Sequence, residues 1–294
     1  MKEIFVILTL CAVLCSCGKS PNQSNVVNAP LSDKTTTYQE EEKESKEIGQ
    51  KEVIDDKKSP LFVENIDSLK KDKFGWGLSV TTNETSPGIP DSWKQMLEKY
   101  NGFFIGPSDK KIVYLTFDCG YEAGYTSKMI DILKQNEVPA IFFIVGHYIN
   151  TKPDLVKKMV ENGFMIGNHS VNHPSFPTLT ESEMKKEIEE LDKRIIEITG
   201  VKPKYFRPPS GEFSEFSLGV TSNLGYKTIF WSLAYRDWIP LPGGAEESYQ
   251  TIMERIHPGA VILMHAVSKD NQDALQRIID GIRAKGYEFA PIDF

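Results

Sequence analysis

From Lys110 onward the sequence alternates between short, almost wholly apolar runs and longer amphipathic stretches, and that alternation limits the fold more than any other feature. The runs are KIVYLTF, AIFFIVG, FMIGNHS, KYFRPP, KTIFWSL, AVILMH and YEFAPI. Continuous apolar runs fit strands buried on both faces, as in a parallel sheet covered by helices. The stretches between them carry helix signals. Glu183 follows Thr180 by three, the pattern of a capping box, and Met184, Ile188, Leu191 and Ile195 then recur on one helical face. A second such face, Leu275, Ile278, Ile279 and Ile282, stops at Gly286. The pattern predicts an α/β fold: a deformed (β/α) barrel of about seven parallel strands, with its site at the C-terminal face of the strands. An open doubly wound sheet is the alternative. No G-x-G-x-x-G follows a strand, so nucleotide binding has no support.

Reactive side chains gather at the ends of these runs. Asp118 and Cys119 end the first, and His169 ends the third with His173 four residues on. Arg207 ends the fourth, Asp237 follows the fifth and His265 ends the sixth. In a parallel barrel all these positions share one mouth. The spacing of His169 and His173 puts two imidazoles on one side of a turn, able to bind one metal. Two surface histidines beside a turn is the bland reading; an acid and a further histidine at the same mouth favour the metal. Asp118 fits a catalytic carboxylate or a helix cap. A buried Arg207 needs an anionic partner, and Asp118, held ionised by it, is the natural one. Asp237 fits an orienting partner for an imidazole or a loop cap. His265, at a strand end, reads as a site histidine rather than a core one. Trp231 and Leu263 fit either core or pocket wall. His147 and His257 are assigned no chemistry.

The net charge of -7, with no Lys/Arg-rich run, argues against nucleic acid as a partner. Residues 1–17, MKEIFVILTLCAVLCSC, look like an export signal, since the apolar run is too short to span a bilayer comfortably. LCSC resembles a bacterial lipobox, which makes Cys17 the expected lipidation site and the protein an extracytoplasmic, membrane-anchored lipoprotein. An uncleaved anchor is the alternative. Residues 18–60 are polar and low in aromatics, and are expected to form a flexible tether. Residues 61–109, with Trp76, Trp93 and PGIP, are expected to pack as an extension on a main domain of residues 110–294. Three of the four cysteines lie in the leader, so Cys119 has no disulfide partner in the body.

The ordered set TFDCG, HSVNH, RPPSG, FWSL…RDW and ILMH resembles the successive motifs of the polysaccharide deacetylases, family 4 of the carbohydrate esterases. The resemblance runs from about Trp76 to the C-terminus. TFDxGYE, GHY, GNHS, HPGA and H-x-VSKDN are most similar to the delta-lactam-biosynthetic de-N-acetylases, which act on N-acetylmuramic acid in spore-cortex peptidoglycan. The resemblance implies hydrolysis of an N-acetyl amide with a divalent metal, expected to be Zn, held by His169 and His173. It implies Asp118 as general base, His265 as general acid, Arg207 fixing Asp118 and Asp237 tuning His265. A backbone amide near Tyr121 would face the oxyanion, and Trp231 and Leu263 would line an acetyl pocket. Peptidoglycan strands are the implied partner.

The chain departs from the family at one position. Most members carry a second, metal-binding Asp after the first, and here Cys119 stands there; the similar subgroup typically has Asn. Cys119 is then either a thiolate ligand or a small neutral filler. Two other functions stay open: deacetylation of N-acetylglucosamine in peptidoglycan or a chitin-like polymer, and a glycan-binding barrel that has lost its metal.

Overall fold

The structure, a computed structural model, describes residues 62–294. The leader, Cys17 and the tether expected before residue 61 lie outside the described residues.

Each of the seven apolar runs contains a strand. They are β3 (Ile112–Cys119), β4 (Ala140–Ile144), β5 (Met165–Asn168), β6 (Tyr205–Phe206), β8 (Lys227–Ile229), β9 (Val261–His265) and β10 (Glu288–Phe289). Three further two-residue strands, β1 (Phe74–Gly75), β2 (Gly102–Phe103) and β7 (Glu212–Phe213), lie outside those runs. Eight strands join in one parallel sheet in the order β10-β3-β4-β5-β6-β8-β2, with β9 also paired to β3. β10 touches only the first two residues of β3, so the remaining seven form the barrel wall. No ladder joins β2 to β9. The chain after β2 meets the chain before β9 where Gly106 N–H donates to the Gly259 carbonyl at 2.8 Å, and the chain after β8 bridges to β9 where Leu233 N–H donates to the Val261 carbonyl at 3.2 Å and Leu263 N–H to the Leu233 carbonyl at 2.9 Å. The result is a deformed (β/α) barrel.

The alternation within β3 sets the layers. Val113, Leu115, Phe117 and Cys119 pack outward with Met129, Ile130 and Leu133 of α2 (Thr126–Gln135) and with Leu275, Ile278 and Ile282 of α8 (Lys269–Ala284). Tyr114 packs with Ile141, Phe143, Ile229 and Val261 in a separate inner cluster. Both faces are thus covered, which is why the run is apolar throughout.

The helix over residues 181–199 forms as its pattern requires. Thr180 and Glu183 exchange the two capping-box bonds at 2.8 and 3.3 Å, and Gly200 ends the helix with φ +73°. Met184, Ile188, Leu191 and Ile195 are fully buried, each contributing about 1.5–3 kcal/mol of apolar burial.

Residues 62–109 do more than cover the barrel. They supply β2, which pairs with β8, and β1, which pairs antiparallel with β7. Trp76 stacks on Phe230 with ring centroids 4.3 Å apart, and its indole N–H donates to the Trp231 carbonyl at 3.0 Å. Gly211 has φ +65°, and a Cβ there would lie 2.7 Å from the Trp231 ring and 2.9 Å from Trp76 Cβ. The chain between β6 and β7 needs glycine at that point.

Candidate active site

A cavity of about 740 Å³ opens at the C-terminal ends of the strands. Asp118, His169, His173, Trp231, Leu263 and His265 all line it. Asp118 and His265 are register partners on β3 and β9, so their side chains stand side by side on one face of the sheet.

Asp118 is held from behind by Arg207. The guanidinium is fully buried and spends its donors on four oxygens. Nη1 donates to Asp118 Oδ1 at 2.7 Å, Nη2 to Thr116 Oγ1 at 2.9 Å and to the Phe230 carbonyl at 3.4 Å, and Nε to the Ile229 carbonyl at 3.1 Å. Its Cζ lies 4.1 Å from the centroid of the Phe143 ring. That ring has space because position 167 is glycine: a Cβ there would sit 2.3 Å from it. Burial alone would raise the Asp118 carboxyl; the charge of Arg207, aided by His169 and His265, outweighs it and holds the group below its ordinary value.

His265 is held by a second carboxylate. Its Nδ1 lies 2.7 Å from Asp237 Oδ1, and its backbone N–H donates to Asp237 Oδ2 at 2.8 Å. Asp237 is buried, while the His265 side chain is 23% exposed toward the mouth. Burial alone would lower the imidazole; the hydrogen bond and charge of Asp237 outweigh it and raise the pKa.

His169 and His173 meet edge to face, with ring centroids 4.8 Å apart. A chain of hydrogen bonds from α5 (Glu181–Thr199) sets their turn. Asn168 Nδ2 donates to Asp192 Oδ1 at 2.9 Å, Ser170 N–H to Asn168 Oδ1 at 2.8 Å, and His173 N–H to Ser170 Oγ at 3.0 Å. Ser170 and His173 both take positive φ, +66° and +57°, which the turn imposes. Burial above all pulls His169 down to about 4, against the Asp118 carboxylate; burial likewise lowers His173.

Tyr121, Trp231 and Leu263 line the cavity, with Tyr121 54% exposed. Cys119 is placed differently. It is fully buried in the outer apolar cluster and absent from the cavity wall. Adjacent strand residues point to opposite faces, so a strand that aims Asp118 at the mouth aims Cys119 at the helices. Burial pushes the thiol well above its ordinary pKa. Here the filler reading matches the position and the thiolate ligand does not.

Sequence reasoning passed over several residues at this mouth. Thr116 shares Arg207, and it was legible as the inward position two before Asp118. Glu122 accepts from Gly124 N–H, Thr126 N–H and Oγ1, and Tyr148 Oη, which ties down the loop carrying Tyr121. Trp76 and residues 78–81 form part of the wall, contributed by a segment with no periodic pattern. Trp238 lies edge-on to His265 at 5.1 Å.

Residues 105–229 match the family model for polysaccharide deacetylase. The chain is 39% identical over 229 residues to the peptidoglycan-N-acetylmuramic acid deacetylase PdaA of Bacillus subtilis, covering 77% of this chain and 87% of the relative. The chain belongs to the polysaccharide deacetylase family. The solved structure of B. subtilis PdaA, described as a family 4 carbohydrate esterase, superposes with a TM-score of 0.74 at 38% identity, over 76% of this chain and 97% of that one. A Bacillus cereus peptidoglycan-N-acetylglucosamine deacetylase is 33% identical over 69% of this chain and 74% of its own length.

Among the described residues no three His, Cys, Asp or Glu side chains stand as a ready metal cage. For this deacetylase-family chain the donor chemistry nevertheless fits a cation held by the two histidines. His169 Nδ1 donates to the Arg207 carbonyl at 2.7 Å, which leaves the neutral ring with its lone pair on Nε2. That lone pair faces Asp118 Oδ2 at 3.4 Å. A lone pair opposite a carboxylate oxygen calls for a positive charge nearby, and burial disfavours supplying it by protonating the ring.

Proposed function

We propose that the chain removes N-acetyl groups from peptidoglycan amino sugars by metal-dependent hydrolysis, with N-acetylmuramic acid as the sugar. The observation that carries the reading is the pairing of Asp118 and His265 across β3 and β9, the first backed by a guanidinium and the second by a carboxylate. Amide cleavage needs a base for the attacking water and an acid for the departing amine. Asp118, kept ionised by Arg207, takes the water proton at a carboxylate oxygen. His265, its pKa raised by Asp237, delivers a proton to the amine nitrogen. A glycan-binding barrel would need neither arrangement.

His169 and His173 would hold a divalent metal, Zn by the preference of imidazole ligands. When bound, it polarises the amide carbonyl and lowers the pKa of water. Trp231 and Leu263, which line the cavity, would wall the space for the acetyl methyl, and the loop of Tyr121, tied by Glu122, would border the oxygen. The name of the B. subtilis relative favours the muramic substrate. The freed amine on that sugar stands beside its lactyl carboxyl, so closure to the muramic δ-lactam of spore cortex gains from proximity. The B. cereus relative's name favours N-acetylglucosamine as the second reading. The lipobox at Cys17 supports placement as a lipid-anchored, extracytoplasmic protein beside its polymer.

The test is acetate release from glycan strands stripped of their peptides. His265→Ala should cut the rate by about 10²–10⁴-fold, the value of a positioned acid. Undiminished release by that variant would remove His265 from the reaction.

A further inference from the structure

A second open groove, of about 840 Å³, adjoins the mouth, and the proposed reaction leaves it unused. It shares Gly120, Tyr121 and His173 with the first cavity, so the two are continuous across the exposed Tyr121 ring. Past that seam the groove is lined by His147, Asn150, Asn172 and Arg194, and by no Asp or Glu. In a chain of net charge -7, this lining carries one guanidinium and no acid of its own, with the Glu187 carboxylate standing behind Asn172.

Arg194 is partly buried on α5, and its Nη1 donates to Asn150 Oδ1. Among the described residues no carboxylate lies within ion-pair distance of it, in contrast with Arg207 and Arg277. Asn150 is a neutral acceptor. It orients the guanidinium without neutralising it, and the other N–H groups of this lining residue have no acceptor among the described residues. A planar guanidinium in that state fits a carboxylate in a bidentate manner. Asn172, on the same groove lining, is fixed by Glu187, which accepts from both its backbone N–H and its amide. An exposed aromatic at the seam offers a sugar face a stacking surface.

We propose that this groove binds a further sugar unit of the strand being deacetylated, with Arg194 recognising a carboxylate carried outside the reacting residue. The inference rests on the peptidoglycan reading and extends it to substrate selection. Peptidoglycan offers that carboxylate from two sources, the lactyl group of a neighbouring muramic residue or an acid of the stem peptide.

The test is binding, measured on the full chain with chelator present so that no turnover intervenes. The probes are denuded strands, strands bearing stem peptides, and denuded strands whose carboxylates have been amidated. Arg194→Gln should weaken binding of carboxylate-bearing strands by about tenfold, the value of a charge-assisted hydrogen bond, and leave amidated strands unchanged. Weakening on denuded strands assigns the carboxylate to the lactyl group, and weakening confined to peptide-bearing strands assigns it to the peptide. The wild-type chain supplies an arm free of any variant, because it should itself hold charged strands more tightly than amidated ones. Equal binding of charged and amidated strands by the wild type, or equal losses on both in Arg194→Gln, would overturn the proposal. Acetate release without chelator is scored separately: charge discrimination without release counts against the hydrolysis, and release without discrimination counts against the groove.

Discussion

Asp118 and Asp237 stand behind the same mouth and are given opposite tasks by what faces them. Asp118 meets a fixed cation, the Arg207 guanidinium at 2.7 Å, and is left as a bare carboxylate below its ordinary pKa. Asp237 meets a titratable ring at 2.7 Å, and its charge raises that ring instead. In the proposed reaction the carboxylate with the permanent partner stays ionised and takes the base's place. In the same proposal the carboxylate with the ionisable partner serves as counter-ion to His265 as the acid. The two halves also differ in depth: Arg207 is fully buried, whereas His265 reaches solvent.

The deeper half should break at greater cost. Arg207→Met leaves Asp118 buried without its cation and should destabilise the fold by about 3–5 kcal/mol in denaturant unfolding. The pH dependence of that loss carries a sign. In the wild type the lowered pKa of Asp118 gives stability that is full above the unfolded carboxyl pKa and fades as pH falls through the folded one. Without Arg207, burial dominates and the folded pKa rises, so the variant should recover part of its stability on acidification. A variant as stable as the wild type at neutral pH would mean that the pair is not what holds the mouth.

The shallower half should show itself in the pH–rate profile. Asp237→Asn removes the charge that raises His265, so the alkaline limb of acetate release should move to lower pH. Turnover should fall by about tenfold or more, a part of what a positioned acid supplies. An unmoved alkaline limb would show that Asp237 does not set the state of His265.

The smallest effect is expected one residue from Asp118. Cys119→Ser places a hydroxyl among the outer apolar side chains and should cost about 1 kcal/mol of stability. Metal content and turnover should not change, because the thiol faces the helices. Loss of bound metal in that variant would return Cys119 to the ligand set.

Much of the barrel and its mouth is legible in the amino-acid sequence alone. The strands announce themselves because burial on both faces makes a run apolar throughout, and the reactive residues stand out because they end those runs. The side of β3 that each residue takes is also legible: Asp118 and Cys119 are neighbours on a strand and cannot both face the mouth. Other features have no sequence signal. β2, β7 and β1 are two residues long, too short for any period to show. The pairing of β3 with β9 joins positions more than 140 residues apart, and pairing order is not a local property of the chain. The contribution of residues 78–81 to the cavity wall likewise depends on Trp76 seating against Phe230 and Trp231, which only the closed barrel brings together.

Mass spectrometry of denuded glycan strands incubated with the wild-type chain and Zn tests the central claim most directly, with His265→Ala as the control. The expected result is loss of acetyl from muramic residues, with the glycan backbone uncut, in the wild type and almost none in the control. Strands that keep every acetyl group under each divalent metal tried, or that lose them equally in the control, would contradict it.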